Sequence, residues 1–148
     1  MPRSKAHPKI RKVVLDVNIL VSALFYPAGK PRHVWELAER RKIISVTCDQ
    51  MIDKLLEVIT RQKFDKYGLT LAEKIGFAAR VRHFSSLVIV SENLQGITVD
   101  PEDDIVLECA MNGSAEYIIT GDPHLRDVER YRKIEIVTVS KFLEVIRA

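Results

Sequence analysis

The sequence has little cysteine and no long hydrophobic run. Its two cysteines, Cys48 and Cys109, lie far apart without CxxC spacing, so free thiols in a reducing cytosol are favoured over a disulfide. No apolar run approaches the roughly 20 residues that a membrane helix needs. The basic N-terminal segment lacks the apolar core of a secretory signal. These absences predict a cytoplasmic protein with no membrane partner, and 148 residues suit one domain.

Motifs of several enzyme classes are missing as well. The sequence contains no GxxxxGKS/T, GxGxxG, GxSxG or HExxH motif. Its four histidines show no metal-ligand spacing and are expected at the surface: His7, His33, His83 and His124. The aromatic residues are dispersed along the chain. Most of them are therefore expected in the core rather than in a base-stacking platform.

Positive charge is concentrated at the N-terminus. Residues 1–12 hold five of the 23 Lys and Arg residues and no acid, which leaves the rest of the chain slightly acidic. The five bases are Arg3, Lys5, Lys9, Arg11 and Lys12. We predict a basic flexible tail over residues 1–11 and one folded domain over residues 12–148. Such a tail suits nucleic-acid binding and equally suits a solubilising role, and the sequence leaves both open.

Short apolar runs alternate with longer amphipathic stretches. The predicted strands are Lys12–Asp16, Ile43–Thr47, Leu87–Val90, Tyr117–Thr120 and Ile134–Val139. The predicted helices are Asn18–Phe25, Pro31–Arg41, a helix ending at Thr60, Thr70–Phe84, Pro101–Asn112 and Lys141–Arg147. Thr47 with Gln50 is typical of a capping box, and Ser140 of an N-cap. This alternation predicts a three-layer α/β/α domain with a parallel sheet of four to five strands.

Acidic residues follow the strands at the edge where open α/β sheets bind ligands. Asp16 ends the first strand, and Asp122 follows the fourth. Asp103 shares a helix face with Val106 and Leu107, so we expect it to point towards this edge and Asp104 to lie nearer solvent.

Carboxylates that converge on one edge repel each other unless a cation neutralises them. Hard divalent ions with oxygen ligands fit such a cluster, and they can assist in-line attack on a phosphodiester. Asp100 and Asp122 each precede a proline, and a role as a simple helix cap stays open for both. Asp16 ends a buried strand and needs a partner there, which favours a functional role.

Three segments together resemble one known family. VLDVNILVSAL resembles the opening of PIN domains, where Thr and Asn follow the first-strand aspartate; Asp16 and Asn18 match, and Val17 replaces the Thr. DPEDDIVLECAMNGSAEYIITGDPHL is similar to the second half of the family, and VTVSKFL to its usual close. The similarity covers about residues 12–145 in the same order and spacing.

The resemblance implies a ribonuclease that depends on Mg²⁺ or Mn²⁺ and often forms a homodimer. The resemblance also implies that the protein is the toxin of a toxin–antitoxin pair. RNA would then be its substrate and an antitoxin protein its partner. Carried over, the metal-binding and catalytic acids are Asp16, Asp103 and Asp122, supported by Asn18 and Thr120. The family has a glutamate just before a pattern like LLEVL, but Lys54 precedes LLEVI here. A further carboxylate would then come from Glu57, Asp53 or Asp104.

Two hypotheses follow for the function. The first is an active metal-dependent endoribonuclease. The second is a PIN fold that binds RNA or protein without cutting, in which Lys54 takes the place of the cation. A phosphatase of the haloacid dehalogenase kind would need a second aspartate where Asn18 stands. A response-regulator receiver would need an acid pair before Asp16, and the sequence has none.

Overall fold

A computed structural model describes residues 10–91 and 100–147 of the chain. Most of the predicted basic tail, including Arg3, Lys5 and Lys9, lies outside the described residues and stays a prediction. No helix in the described part of the chain is long and apolar enough to cross a membrane.

Six strands form one sheet in the described part of the chain, in the order β3-β2-β1-β4-β6-β5. Their bounds are β1 Arg11–Leu15, β2 Ile43–Thr47, β3 Ser85–Leu87, β4 Tyr117–Ile119, β5 Arg130–Tyr131 and β6 Ile134–Val137. Five strands run parallel, and β5 is an antiparallel edge strand paired only with β6. The predicted α/β class with a parallel sheet is therefore confirmed.

Seven α-helices and one 3₁₀-helix are described. Their bounds are α1 Val17–Phe25, α2 Lys30–Glu39, α3 Asp49–Ile59, a 3₁₀-helix Gln62–Tyr67, α4 Leu71–Phe84, α5 Pro101–Asn112, α6 Pro123–Arg126 and α7 Val139–Arg147. From β1, the chain adds β2 and then β3 on one side of the sheet. It then crosses to the other side of β1 and adds β4 and β6 there. Since parallel crossovers are right-handed, the helices cover both faces.

The central strands are buried because helices pack on both sides of them. Val13 and Val14 in β1 and Ile118 and Ile119 in β4 have no exposed surface. Val14 pairs with Ile118 on one side and with Val46 of β2 on the other. The direction of strand addition reverses at β1, so the carboxyl ends of β1 and β4 form the topological switch point. Open α/β sheets bind ligands at this point.

Local capping follows the sequence at two helices. Asp100 accepts a hydrogen bond from the Glu102 N–H at 2.9 Å and precedes Pro101, as predicted for the start of α5. Thr70 and Glu73 form a reciprocal capping box at the start of α4. Each pairing satisfies backbone donors that the first helical turn leaves without a partner.

The predicted capping box of Thr47 and Gln50 is wrong. Thr47 belongs to β2, α3 starts after Cys48, and Thr47 Oγ1 is buried without a hydrogen-bond partner among the described residues. Gln50 donates instead to the carbonyl of Val90 at 2.9 Å and ties α3 to the segment after β3. The cap could not form because strand pairing continues through Thr47 and holds this residue in the sheet.

Two other predicted boundaries also shift. The third strand is Ser85–Leu87 rather than Leu87–Val90, because Ser85 pairs with Ser45 directly after α4 ends. The last helix begins at Val139, and Thr138 Oγ1 rather than Ser140 caps it by accepting from the Lys141 N–H at 3.1 Å.

Candidate functional site

A pocket of about 120 Å³ opens at the carboxyl ends of β1 and β4, between α3 and α5. Its acidic side chains come from three separate parts of the chain: Asp16, Asp100, Glu102, Asp103 and Asp122. Its other lining residues are Val17, Asn18, Gln50, Met51, Lys54, Val58, Ile105 and Val106. The structure thus places four of the predicted site residues in one pocket: Asp16, Asn18, Asp103 and Asp122.

Two hydrogen bonds orient the side chain of Asp16 in the pocket. Its Oδ1 accepts from the Val17 N–H at 2.8 Å, which caps α1, and its Oδ2 accepts from Thr120 Oγ1 at 2.6 Å. Only 9% of its surface is exposed. Thr120 is fully buried, and its Oγ1 also accepts from the Asp122 N–H at 3.0 Å. Thr120 thus fixes the end of β4 against the end of β1.

Asp103 and Asp122 complete the acidic wall. Asp103 lies in the first turn of α5 and is 7% exposed. Asp122 accepts from the His124 N–H at 2.9 Å and caps the short helix α6, so it is both a cap and a pocket residue. The same double assignment holds for Asp100 at the start of α5.

Burial and neighbouring negative charge raise the pKa of two acids of the pocket, Asp103 and Asp16. Burial, followed by the charges of Asp122, Asp100 and Asp16, raises the pKa of Asp103 to about 6. Burial also raises the pKa of Asp16, and the charges of Asp122 and Glu102 add to this, while the Thr120 and Val17 hydrogen bonds oppose it. A bound cation would displace the proton and relieve this repulsion.

The spacing of the acidic side chains limits how a divalent ion could bind in this pocket. Within residues 10–91 and 100–147, no three Asp, Glu, His or Cys side chains are grouped closely enough to hold an ion directly. Magnesium, however, usually keeps several waters and takes only one or two carboxylates. Asp16, Asp103 and Asp122 carry oxygen donors of the kind that hard divalent ions prefer, and they line one pocket without forming a closed metal cage among the described residues.

Lys54 reaches the pocket from α3. Its Nζ lies 3.0 Å from Glu102 Oε2 and 3.2 Å from Glu57 Oε1, and these two ion pairs raise its pKa. Met51 and Val58, which share its helix face, line the same pocket. The predicted orientation of Lys54 towards the acidic edge is therefore confirmed. Its nearest charge is Glu102, which the sequence reasoning did not single out.

The three acids considered as further ligands do not line the pocket. Glu57 accepts from Arg61 at 2.7 Å and 3.0 Å, and chiefly this contact lowers its pKa to about 2. Asp53 is exposed on α3. Asp104 is 5% exposed, so its predicted solvent-facing position is wrong. Since α5 packs on β1, β2 and β4 and also against α3, more of its surface is covered than one inward face provides.

The pocket also contains residues that the sequence reasoning missed. The sequence predicts Gln50 as part of a helix capping box, and Glu102 is one of several acids in the run that starts α5. The sequence did contain a signal for Glu102, because an ammonium group of Lys54 at the acidic edge favours a carboxylate beside it. At the other edge of the sheet, Arg11 pairs with Glu116 at 3.2 Å. Arg11 and Lys12 begin β1 and lie about 13–16 Å from Asp16 at its acidic end, given the rise per residue of a strand.

The fold and pocket define an α/β protein with a carboxylate site at the switch point of a parallel sheet. A family model described as a PIN domain matches residues 12–124. The chain belongs to the PIN-domain family, whose members are generally nucleases and typically use divalent metals. It is 30% identical over 143 residues to the uncharacterized protein MJ1680 of Methanocaldococcus jannaschii, covering 90% of each chain.

Proposed function

We propose that this chain is a metal-dependent endoribonuclease whose acidic residues are Asp16, Asp103 and Asp122. The observation that carries the proposal is the fixed position of Asp16. Asp16 lies at the switch point, and both of its carboxylate oxygens are hydrogen-bonded. Burial and the charge of Asp122 raise its pKa, and Asp103 in the same pocket also has a raised pKa. A simple helix cap would not need acids from α5 and the end of β4 in the same pocket.

The pocket residues have different roles in the proposed reaction. Asp16, Asp103 and Asp122 would hold a hydrated Mg²⁺ or Mn²⁺, which supplies an activated water and positive charge beside the phosphodiester. Thr120 keeps Asp16 in one orientation through its 2.6 Å hydrogen bond. Asn18 is exposed at the pocket and has an amide that can bond to the RNA backbone.

The test is RNA degradation by purified wild type and Asp16→Asn, each with Mg²⁺, Mn²⁺ or EDTA. Asp53→Asn is the matched control, because Asp53 is an exposed acid outside the pocket. We expect Asp16→Asn to lose at least about a hundredfold in cleavage rate, as removal of a catalytic group does, and Asp53→Asn to match the wild type. Equal cleavage by wild type and Asp16→Asn would assign the activity to another protein or site.

A second candidate function is a PIN fold that binds RNA or protein without cutting it. The ion pair between Lys54 and Glu102 at 3.0 Å favours it, because an ammonium at the acidic pocket competes with a cation. Calorimetric titration with Mn²⁺ separates the two functions. Saturable binding that Asp16→Asn weakens supports the nuclease, and absence of binding supports the non-cutting protein. A toxin role, an antitoxin partner and a homodimer are proposals from the resemblance alone.

A further inference from the structure

Four aromatic side chains that are dispersed in the sequence form one cluster in the fold. Phe25 and Tyr26 end α1, and Phe64 and Tyr67 belong to the 3₁₀-helix. Phe25 stacks on Phe64 with ring centroids 4.5 Å apart and an interplanar angle of 5°. Tyr67 contacts both the Phe25 ring at 5.0 Å and the Tyr26 ring at 5.5 Å. The core location expected for most aromatics holds for Phe25, and Phe64 and Tyr67 pack against the core, whereas Tyr26 is exposed.

The cluster is anchored on its inner side and open on its outer side. Phe25 is 5% exposed and belongs to the core, whereas Tyr26 is 51% exposed. The Tyr26 and Tyr67 hydroxyl groups are hydrogen-bonded to each other, and their rings meet edge to face at 79°. The Tyr26 ring is thus held in place while much of it faces solvent. A fixed and exposed ring loses little entropy when a planar ligand stacks on it.

Positive charge surrounds these rings. Lys63 Nζ lies 5.2 Å from the Phe64 centroid, and Lys66 Nζ lies 5.5 Å from the Tyr67 centroid. Within residues 61–67, Arg61 adds a third base and Asp65 is the only acid. We call Tyr26, Phe64, Tyr67, Lys63 and Lys66 the aromatic–basic surface. Its combination of ring faces with ammonium groups complements a single-stranded polyanion that has planar bases.

Two helices connect the aromatic–basic surface to the acidic pocket. Helix α1 begins beside Asp16 and ends at Phe25, which is about 14 Å of helix. Helix α3 lines the pocket with Lys54 and leads into the 3₁₀-helix. Three charged residues lie on one side of this path: Lys54, Glu57 and Arg61. Glu57 forms an ion pair with each of the other two. A short stretch of extended nucleic acid can therefore reach both places.

We propose that the aromatic–basic surface binds single-stranded RNA a few nucleotides from the scissile bond, with a base stacked on Tyr26 and phosphates beside Lys63 and Lys66. The proposal rests on the proposed function for RNA as the substrate. The 3₁₀-helix and the end of α1 then set how RNA enters the pocket. Double-stranded RNA has no free base faces and gains nothing from Tyr26.

The test measures binding, so it does not depend on cleavage. A labelled single-stranded oligoribonucleotide is titrated in EDTA, by fluorescence anisotropy, with Asp16→Asn protein that carries each further change. We expect Tyr26→Ala to weaken binding about tenfold, in the range of a lost base stack, and Tyr26→Phe to bind as the parent. Leu71→Ala, at another exposed apolar residue (61%), is the matched control and should bind as the parent. Thermal unfolding of each variant checks the fold.

The charge contribution is tested with a pair of double variants. Lys63→Gln with Lys66→Gln removes two charges from the aromatic–basic surface, and Arg132→Gln with Lys133→Gln removes two exposed charges next to β6. We expect only the first pair to weaken binding and to reduce its salt dependence. Equal losses in the two pairs, or a Tyr26→Ala protein that binds like the parent, would overturn the proposal, as would equal sensitivity of duplex RNA to Tyr26→Ala.

The outcomes also separate this inference from the proposed function. If the wild type does not cleave RNA and Tyr26→Ala still weakens single-strand binding, the nuclease proposal fails and the RNA surface stands. If the wild type cleaves and Tyr26→Ala leaves binding unchanged, the RNA surface fails alone. A change in oligomeric state with Tyr26→Ala and unchanged RNA affinity would assign the surface to contacts between copies of this chain.

Discussion

Asp16 shows how one side chain serves both the fold and the site. Its Oδ1 caps α1 and its Oδ2 accepts from Thr120, so its orientation is set by two elements at once. These hydrogen bonds favour the ionised form, whereas burial and neighbouring acids oppose it, and the net result is a raised pKa. At the residue scale, Asp16 is therefore held in an environment that disfavours its negative charge. A bound cation would stabilise the ionised carboxylate.

Lys54 is the residue whose replacement should improve the site. Its Nζ is shared between Glu102 and Glu57, so it places positive charge beside the acids that would bind metal. We predict that Lys54→Glu raises Mn²⁺ affinity about five- to tenfold, because it removes an ammonium that competes at roughly 1 kcal/mol or more. Isothermal titration calorimetry measures the affinity.

Lys42→Glu provides the control for this change. Lys42 is exposed next to β2 at the opposite edge of the sheet, and the substitution alters the net charge by the same amount. An equal gain from Lys42→Glu would show that the effect comes from net charge rather than from the position of Lys54. An unchanged affinity in Lys54→Glu would mean that its pairing with Glu102 already keeps it out of the site.

At the scale of elements, α5 joins the acidic pocket to the sheet. Its first turn carries Glu102, Asp103 and Asp104, and its end reaches Gly113 beside β2. Cys109 on α5 and Cys48 before α3 are both buried free thiols. Contact between the two thiols lowers the pKa of Cys48 and raises the pKa of Cys109.

Gly113 is required where α5 ends against the sheet. A Cβ at this position would overlap Val46 Cγ1, and Val46 is 1% exposed and belongs to a rigid central strand. We predict that Gly113→Ala destabilises the protein by about 1–3 kcal/mol, as overpacking does, and lowers the melting temperature by several degrees. Gly121→Ala is the control, since a Cβ there meets nothing within 4 Å. Equal melting temperatures for both variants would contradict this account of how α5 packs.

At the scale of the whole molecule, charge is separated between the two edges of the sheet. Acids gather at the carboxyl ends of β1 and β4, while Arg11, Lys12 and Lys42 lie towards the opposite ends of their strands. The chain enters β1 at this opposite edge. The predicted binding of RNA by Arg11 and Lys12 would therefore occur away from the pocket and would add affinity rather than chemistry.

Stability without metal should depend on pH through Asp103. Its pKa is about 6 in the folded protein against an ordinary value of 3.8, so the folded state binds the extra proton between these values. The stability that this proton contributes is present at low pH and is lost as the pH rises through about 6. We predict that Asp103→Asn raises the melting temperature in EDTA by about 3 °C or more near pH 7, and by much less near pH 4.5.

Differential scanning calorimetry of both proteins across this pH range measures the effect. Asp53→Asn serves as the control, because it removes an exposed acid outside the pocket. A difference between Asp103→Asn and the wild type that stays constant with pH would show that Asp103 is not perturbed in the folded protein.

The sequence by itself determined the class of the fold and indicated three acids that line one pocket. Buried parallel strands appear as consecutive apolar residues, and helices as 3.6-residue periodicity, so the order of most elements follows from local patterns. A parallel sheet then brings residues that follow the strands to one edge. Asp16, Asp103 and Asp122 were found in this way, because each of them stands directly after a strand or at the start of a helix.

Only the tertiary structure decided which strands are neighbours and what gathers between helices. The position of β1 between β2 and β4, the burial of Asp104 and the pairing of Lys54 with Glu102 depend on long-range packing that local periodicity does not encode. The cap at Thr47 failed because strand pairing outweighed a local hydrogen bond. The aromatic cluster formed because the end of α1 and the 3₁₀-helix after α3 come together, and Tyr26 and Tyr67 are 41 positions apart in the sequence.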